Sequence, residues 1–296
     1  MTFEDILTQR MARAGLIAGA GGLEAAIGSG RIPGRQDITL SEAIVLGLLR
    51  QDVTTFFAVF GHGSTDVAEV LRVYQDAGLV KVINLRSEIE ASHAAAALRW
   101  VSGEKSAVVT SIGPGALQAL SASLVSASDG LGIWYLFGDE TIEDEGPNMQ
   151  QIPRPGQDLF LRLCSVMGNA YTLHTPLAVS TALRRGQSTV DHPYRAGPFY
   201  LLLPMNTQPY MLEGFDLREL PADLHLAMGA AEGDYAQATK WIIEARNVVV
   251  RVGGGAIGAK NEMLELLELA DGVAVLSPLA SGRSAATMPW RRPICS

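Results

Sequence analysis

Cysteine is scarce. Cys164 and Cys295 are the only two in 296 residues. Their wide separation predicts a reduced pair with neither a disulfide nor a metal role. Charge is sparse too, at 18% of residues, where an ordinary soluble domain carries about a quarter. That deficit points to surface covered by other subunits. Basic residues are outnumbered, 23 against 31 acidic, for a net charge of −8. Nucleic-acid binding, which needs clustered Lys and Arg, is argued against. No apolar run reaches the roughly 18 residues of a membrane span. Glu4 and Asp5 stand where a secretory or transit leader would be basic. The expectation is a soluble cytoplasmic protein that engages neither membrane nor nucleic acid.

Apolar residues are abundant, at 48%, enough for one large core or two ordinary ones. Residues 1–37, with the Ala/Gly-rich stretch LIAGAGGLEAAIGSG, read as an N-terminal extension whose helix packs on a neighbour. Regular alternation begins at Ile38, with Ser41 placed to cap a helix. Short apolar runs of buried-strand type lie at 56–60, 80–85, 106–111, 132–137 and 198–204, with helical stretches between them. Such alternation predicts an α/β fold, a parallel sheet flanked by helices, over 38–204. Within it, 140–158 is an acidic, proline-bearing loop. The proline-rich stretch 205–233 reads as a linker. Residues 234–296 hold two more strands, at 247–252 and 273–277, and read as a partial Rossmann-like domain, since two strands do not make a self-sufficient one.

Glu88 stands where the 80–85 strand gives way to an alanine-rich helix. Open parallel sheets place ligand crevices at such carboxyl ends. On spacing alone, the plainer reading is a solvated first-turn glutamate favoured by the helix dipole. The turn SIGPGA (111–116), taken by itself, is an ordinary strand-to-helix turn with proline early in the helix. FGHGS (60–64) places His62 in a turn, either as a capped structural histidine or as an acid or base. His93 lies inside the helix after Glu88. GGGAIG (253–258) fits GxGxxG, but the strand after it ends Leu276-Ser277-Pro278 without the acid that a dinucleotide site uses. An NAD-type oxidoreductase is therefore disfavoured.

Together these segments resemble the pyrimidine-binding domain of thiamine-diphosphate (ThDP) enzymes of the acetolactate synthase type. The run Arg86-Ser87-Glu88-Ile89-Glu90-Ala91-Ser92-His93 is similar to the family's Arg-His-Glu-Gln-Gly-Ala-Ala-His, with Ser87 and Ile89 as departures. Ser111, Gly113, Pro114 and Gly115 match its Ser-Gly-Pro-Gly loop, with Ile112 inserted. Gly61, His62 and Gly63 replace the usual Gly-x-Pro-Gly and resemble the trihydroxycyclohexanedione hydrolase branch.

The resemblance implies a ThDP-binding fold. It assigns Glu88 the hydrogen bond to N1′ of the aminopyrimidine, the contact that starts the cofactor's chemistry. It gives Gly61, Gly63, Ser111, Gly113, Pro114 and Gly115 to the cofactor pocket, and His62 to acid–base work nearby. His93, Gln150 and Gln151 are candidates for reaching substrate. The second unit resembles the family's central domain, which binds FAD or ADP in some members. The family's Gly-Asp-Gly…Asn motif for Mg²⁺ has no match, since 138–140 and 233–235 both lack the second glycine. No metal ligand is therefore assigned to this chain, and Mg²⁺ falls to a partner chain carrying the diphosphate-binding domain. The implied protein is one subunit of a split enzyme, a hetero-oligomer built on dimers, or a fragment of a longer one. Its implied reaction makes or breaks a carbon–carbon bond next to a carbonyl, on a 2-oxo acid or a cyclic diketone. A non-catalytic scaffold or regulatory partner of a ThDP enzyme is the alternative.

Overall fold

The computed structural model describes residues 2–142, 158–223, 232–256, 259–277 and 280. The chain divides into two compact units, Met1–Arg99 with Gly103–Leu226, and Trp100–Ser102 with Ala227–Ser296.

The first unit opens with α1 (Phe3–Ala20). Thr2 caps it: the Thr2 hydroxyl accepts the Asp5 N–H, and the Asp5 carboxylate accepts the Thr2 N–H. A short α2 (Leu23–Gly28) follows. This region was expected to be an extension lying on a neighbour, and the structure corrects that. Ala14, Ile17, Leu23 and Ala26 are buried in the unit's own core. Arg10 and Arg13 are buried against Glu42, which also accepts the Tyr74 hydroxyl at 3.0 Å. Buried guanidinium groups are tolerated only when paired, so the single carboxylate of Glu42 holds the helix in place.

The chain then forms β1 (Arg35–Thr39) and α3 (Leu40–Leu49). The helix cap is Thr39, not Ser41: the Thr39 hydroxyl accepts the Glu42 N–H at 3.3 Å, and Ser41 is buried in the first turn. Residues from Leu40 to Leu48 are buried on every side, as expected of a helix apolar all round.

Six strands make the main sheet: β2 (Thr55–Val59), β3 (Lys81–Asn84), β4 (Ser106–Thr110), β5 (Ile133–Asp139), β6 (Asn169–Thr172) and β7 (Pro198–Pro204). Their order is β3-β2-β4-β5-β7-β6, all parallel. Five are the apolar runs read from the sequence. The sixth, β6, has the sequence Asn-Ala-Tyr-Thr and lies at the sheet edge; it lacks the continuous apolar run of a strand buried on both faces.

Alternate residues of the central strands face opposite cores. Phe56, Val109, Trp134 and Leu201 pack with α1, α3, α4 (Thr65–Asp76) and α9 (Val179–Val190). Phe57, Val108, Tyr135 and Tyr200 pack with α5 (Glu88–Ser102), α6 (Pro114–Ala122) and α8 (Leu159–Met167). The short α7 (Leu124–Asp129) leads into β5.

The expected linker is also corrected. Of it, residues 205–223 belong to the first unit. Here β8 (Met211–Asp216) pairs antiparallel with β1, and Leu212, Leu217 and Leu220 are buried in the core. The prolines that suggested a linker punctuate turns, while the leucines between them anchor the segment.

The second unit alternates α10 (Glu232–Glu244), β9 (Val249–Val252), α11 (Lys260–Leu269) and β10 (Val273–Leu276). Its two strands are parallel, and Val252, Met263, Leu267 and Ala280 form a small core. In the GGGAIG stretch, Gly254–Ala256 makes a single 3-10 turn.

Candidate functional site

The chain leaves β2 for β3 on one side and then crosses to β4 on the other. The connections after β2 and β4 therefore diverge, which in open parallel sheets creates a crevice at the carboxyl ends. The glycine-bearing segments converge at this switch point.

Ser87 caps α5, its hydroxyl accepting the Ile89 N–H at 3.2 Å. That makes Glu88 the first helical residue, half-buried. On the opposite side, Gly113 takes φ 63, a left-handed conformation that favours glycine, and Pro114 opens α6. A Cβ on Gly115 would lie 2.6 Å from the Ser111 hydroxyl and 2.8 Å from Glu88 Oε1. The Glu88 carboxylate and the Ser111 hydroxyl thus pack directly on the backbone of the first turn of α6, a closeness that only a glycine permits. The amides of that turn favour negative charge there. Gly61 joins the group, because a Cβ on it would stand 3.1 Å from Ser111 Cβ.

The loop after β2 is locked to its neighbours by backbone contact. A Cβ on Gly63 would meet Ile112 Cγ2 at 2.7 Å and Gly138 Cα at 3.1 Å. The Ile112 N–H donates to the His62 carbonyl at 3.2 Å, so the residue inserted into the Ser-Gly-Pro-Gly pattern is a buried anchor beneath the His62 loop. From the opposite side, Gln208 Nε2 donates to the carbonyls of Gly63 and Leu203 at 2.6 and 2.8 Å. No sequence motif flagged Gln208, which sits inside the stretch read as a linker.

At the exit of β5, Asp139 and Glu140 are 2% and 4% exposed. Asp139 Oδ1 accepts the Glu140 N–H at 2.9 Å. Burial pushes the Asp139 carboxyl up to about 7, against the hydrogen bond from the Glu140 N–H, which lowers it, and with a smaller upward push from the Glu140 charge. Burial likewise raises the Cys164 thiol to about 12, with Asp139 adding to it, so this thiol is no nucleophile near neutrality.

The Asp139 shift sets a stability slope. Between about pH 4 and pH 7 the folded chain holds this proton and the unfolded chain does not. The group's contribution to stability is therefore full at the acid end and is lost as pH rises through about 7, by at most on the order of 4 kcal/mol. Asp139→Asn should abolish that fall. Urea midpoints of wild type and variant should diverge as pH rises from 5 to 7.5; parallel curves would contradict the assignment.

The remaining predicted residues are not drawn into this group. His93 is exposed on α5, and five residues after Glu88 it is turned about 140° round the helix from it. Gln150 and Gln151 lie outside the described residues. Among the described residues, no three His, Cys, Asp or Glu side chains are grouped to hold a metal ion, and no helix is long and apolar enough to cross a membrane.

A parallel sheet with a carboxylate, a hydroxyl and glycine turns at its switch point defines a ligand-binding domain of the α/β class. Residues 38–157 match the family described as "Thiamine pyrophosphate enzyme, N-terminal TPP binding domain". That stretch is similar to the N-terminal domain of thiamine-diphosphate-dependent enzymes. The chain is 22% identical over 235 residues to the acetolactate synthase large subunit of Parasynechococcus marenigrum (strain WH8102), an overlap covering 76% of this chain and 36% of that protein. It is 25% identical over 256 residues to the acetolactate synthase isozyme 3 large subunit of Escherichia coli (strain K12), covering 83% and 42%. This chain spans about two fifths of the length of the curated relatives it matches.

Proposed function

We propose that this chain carries the pyrimidine-binding part of a ThDP enzyme that makes or breaks a carbon–carbon bond next to a carbonyl, as one subunit of a split enzyme or as a segment of a longer one. The observation that carries this reading is the cradle at Gly115, where Glu88 Oε1 and Ser111 Oγ both come within 3 Å of the point a methyl group would occupy. Glycine there lets Glu88 and Ser111 close on the α6 turn, so a ring held in the crevice would meet a carboxyl group able to share a proton with its edge nitrogen. Thiamine diphosphate, when bound, supplies the nucleophilic carbon that attacks the substrate carbonyl.

The chain's own work is to orient and to move protons. Glu88 holds and shares the proton at N1′. Ser111, Gly113, Pro114 and Gly115 form the wall that admits the ring. Gly61 and Gly63 bring the His62 loop against it, and His62 exchanges a proton with the substrate oxygen. A partner chain with the diphosphate-binding domain supplies the carboxylate and amide ligands for Mg²⁺, in a cytoplasmic hetero-oligomer. The second unit corresponds to part of a central domain, with FAD or ADP as its ligand.

A 2-oxo acid, decarboxylated with transfer of its acyl unit, is the first substrate class, in keeping with the acetolactate synthase relatives. Hydrolysis of a cyclic diketone is the second reading, favoured by the Gly-His-Gly turn. A purely scaffolding role is disfavoured because Glu88 sits in the cradle.

Titration of the isolated chain with ThDP and Mg²⁺ by calorimetry should give weak binding or none. Adding a partner that carries Gly-Asp-Gly…Asn should raise the affinity at least 100-fold, since the charged end of the cofactor gains its metal site. Tight, Mg²⁺-dependent binding by the isolated chain would refute the split site.

A further inference from the structure

Two buried polar atoms at the crevice have no hydrogen-bond partner among the described residues. They are His62 Nε2 and Glu140 Oε1, and they stand 3.6 Å apart. Glu140 is almost fully buried, whereas the His62 side chain is 36% exposed, so the exposure of the histidine lies on atoms other than Nε2. Buried polar atoms are nearly always paired, because an orphan forfeits its hydration without compensation. The separation is within ion-pair range but about 0.7 Å too long for a hydrogen bond. Catalytic hydrogen bonds are often this long before ligand arrives.

The backbones carrying the two side chains are fixed. Gly63 and Gly138 touch main chain to main chain, the His62 carbonyl is tied to Ile112, and the Asp139 carbonyl accepts the Met205 N–H at 3.1 Å. What remains free to close the gap is side-chain rotation.

We infer that Glu140 is the positioning residue for His62: its Oε1 accepts the Nε2–H and fixes the ring in that tautomer. Nδ1 is then the unprotonated nitrogen, the one able to take a proton from a hydroxyl or carbonyl-derived oxygen. The pairing stands on geometry alone; the acid–base task of His62 rests on the proposed function.

The test is the long-range ¹H–¹⁵N correlation spectrum of the His62 ring in the full ¹⁵N-labelled chain at alkaline pH, assigned with His62→Gln. The wild-type ring should carry its proton on Nε2. Glu140→Gln, which keeps an acceptor oxygen, should preserve that pattern. Glu140→Leu should give the averaged pattern of two exchanging tautomers, with a cooperative melt showing that it folds. A wild-type ring protonated on Nδ1, or a pattern unchanged in Glu140→Leu, overturns the inference. If the leucine variant does not fold, the wild-type spectrum decides alone: an averaged or Nδ1–H ring refutes the pairing.

In the complex with its partner, Glu140→Leu should lower kcat at least ~10-fold with KM little changed, and in a His62→Gln background it should add nothing further. The spectra need neither ThDP nor a partner. A chain that never binds the cofactor would therefore sink the proposed function and leave the pair standing, and an Nδ1-protonated ring would do the reverse.

Discussion

Glu88→Gln should reduce turnover of the assembled complex by about 10²–10⁴-fold, the range attributed to a positioned acid–base group. Glutamine has the same shape and would fit beside Gly115 as glutamate does. It can form a hydrogen bond to a ring nitrogen but cannot share a proton with it. The fold should be indifferent, because Glu88 is a half-buried residue in the first turn of α5. Removing its charge costs only the helix-dipole term, about 0.3–1 kcal/mol. The measurement is kcat of the purified complex beside the thermal melt of the variant chain. A rate close to wild type would remove Glu88 from the chemistry.

Gly138→Ala should be the most damaging single methyl at the site. The added Cβ would stand 2.7 Å from the carbonyl carbon and oxygen of Gly63. These are backbone atoms, so no rotamer change relieves the clash. β5 cannot yield, being paired on both sides, with β4 and β7. The loop carrying Gly61, His62 and Gly63 must move instead, and with it the wall of the crevice. Overpacking of this kind typically costs about 1–3 kcal/mol, and activity should fall with it. Gly15→Ala is the control: nothing lies within 4 Å of its Cβ position, and inside α1 the change should be neutral or stabilising by up to about 1 kcal/mol. Urea unfolding of both variants would decide, and an unchanged midpoint for Gly138→Ala would refute the lock between the two loops.

The strands that build the sheet were legible wherever burial on both faces demanded a continuous apolar run, as at Phe56–Phe57 and Ile133–Phe137. Of the two edge strands, β3 kept an apolar run and was read, whereas β6 is the four residues Asn-Ala-Tyr-Thr and left no signal. The helix cap shows a finer limit. Ser41 is the better cap residue by type, yet the choice fell to Thr39 because β1 delivers the chain to the helix at that point. The 205–223 segment misled for a related reason. Its prolines signal turns whether the turns lie in a linker or on a core, and only the antiparallel pairing of β8 with β1 distinguishes the two.

By itself, the sequence determined the α/β alternation, the glutamate at a strand exit, the glycine turns and the missing Gly-Asp-Gly. These are local patterns, read within one element and its flanking loop. The tertiary structure decided which exits meet. Glu88 comes from the helix after β3 and faces Gly115 from the helix after β4, while His62 and Glu140 arrive from the exits of β2 and β5. Those meetings depend on the strand order β3-β2-β4-β5. Periodicity along the chain carries no record of that order, because side-chain alternation reports which residues are buried and not which strand lies alongside.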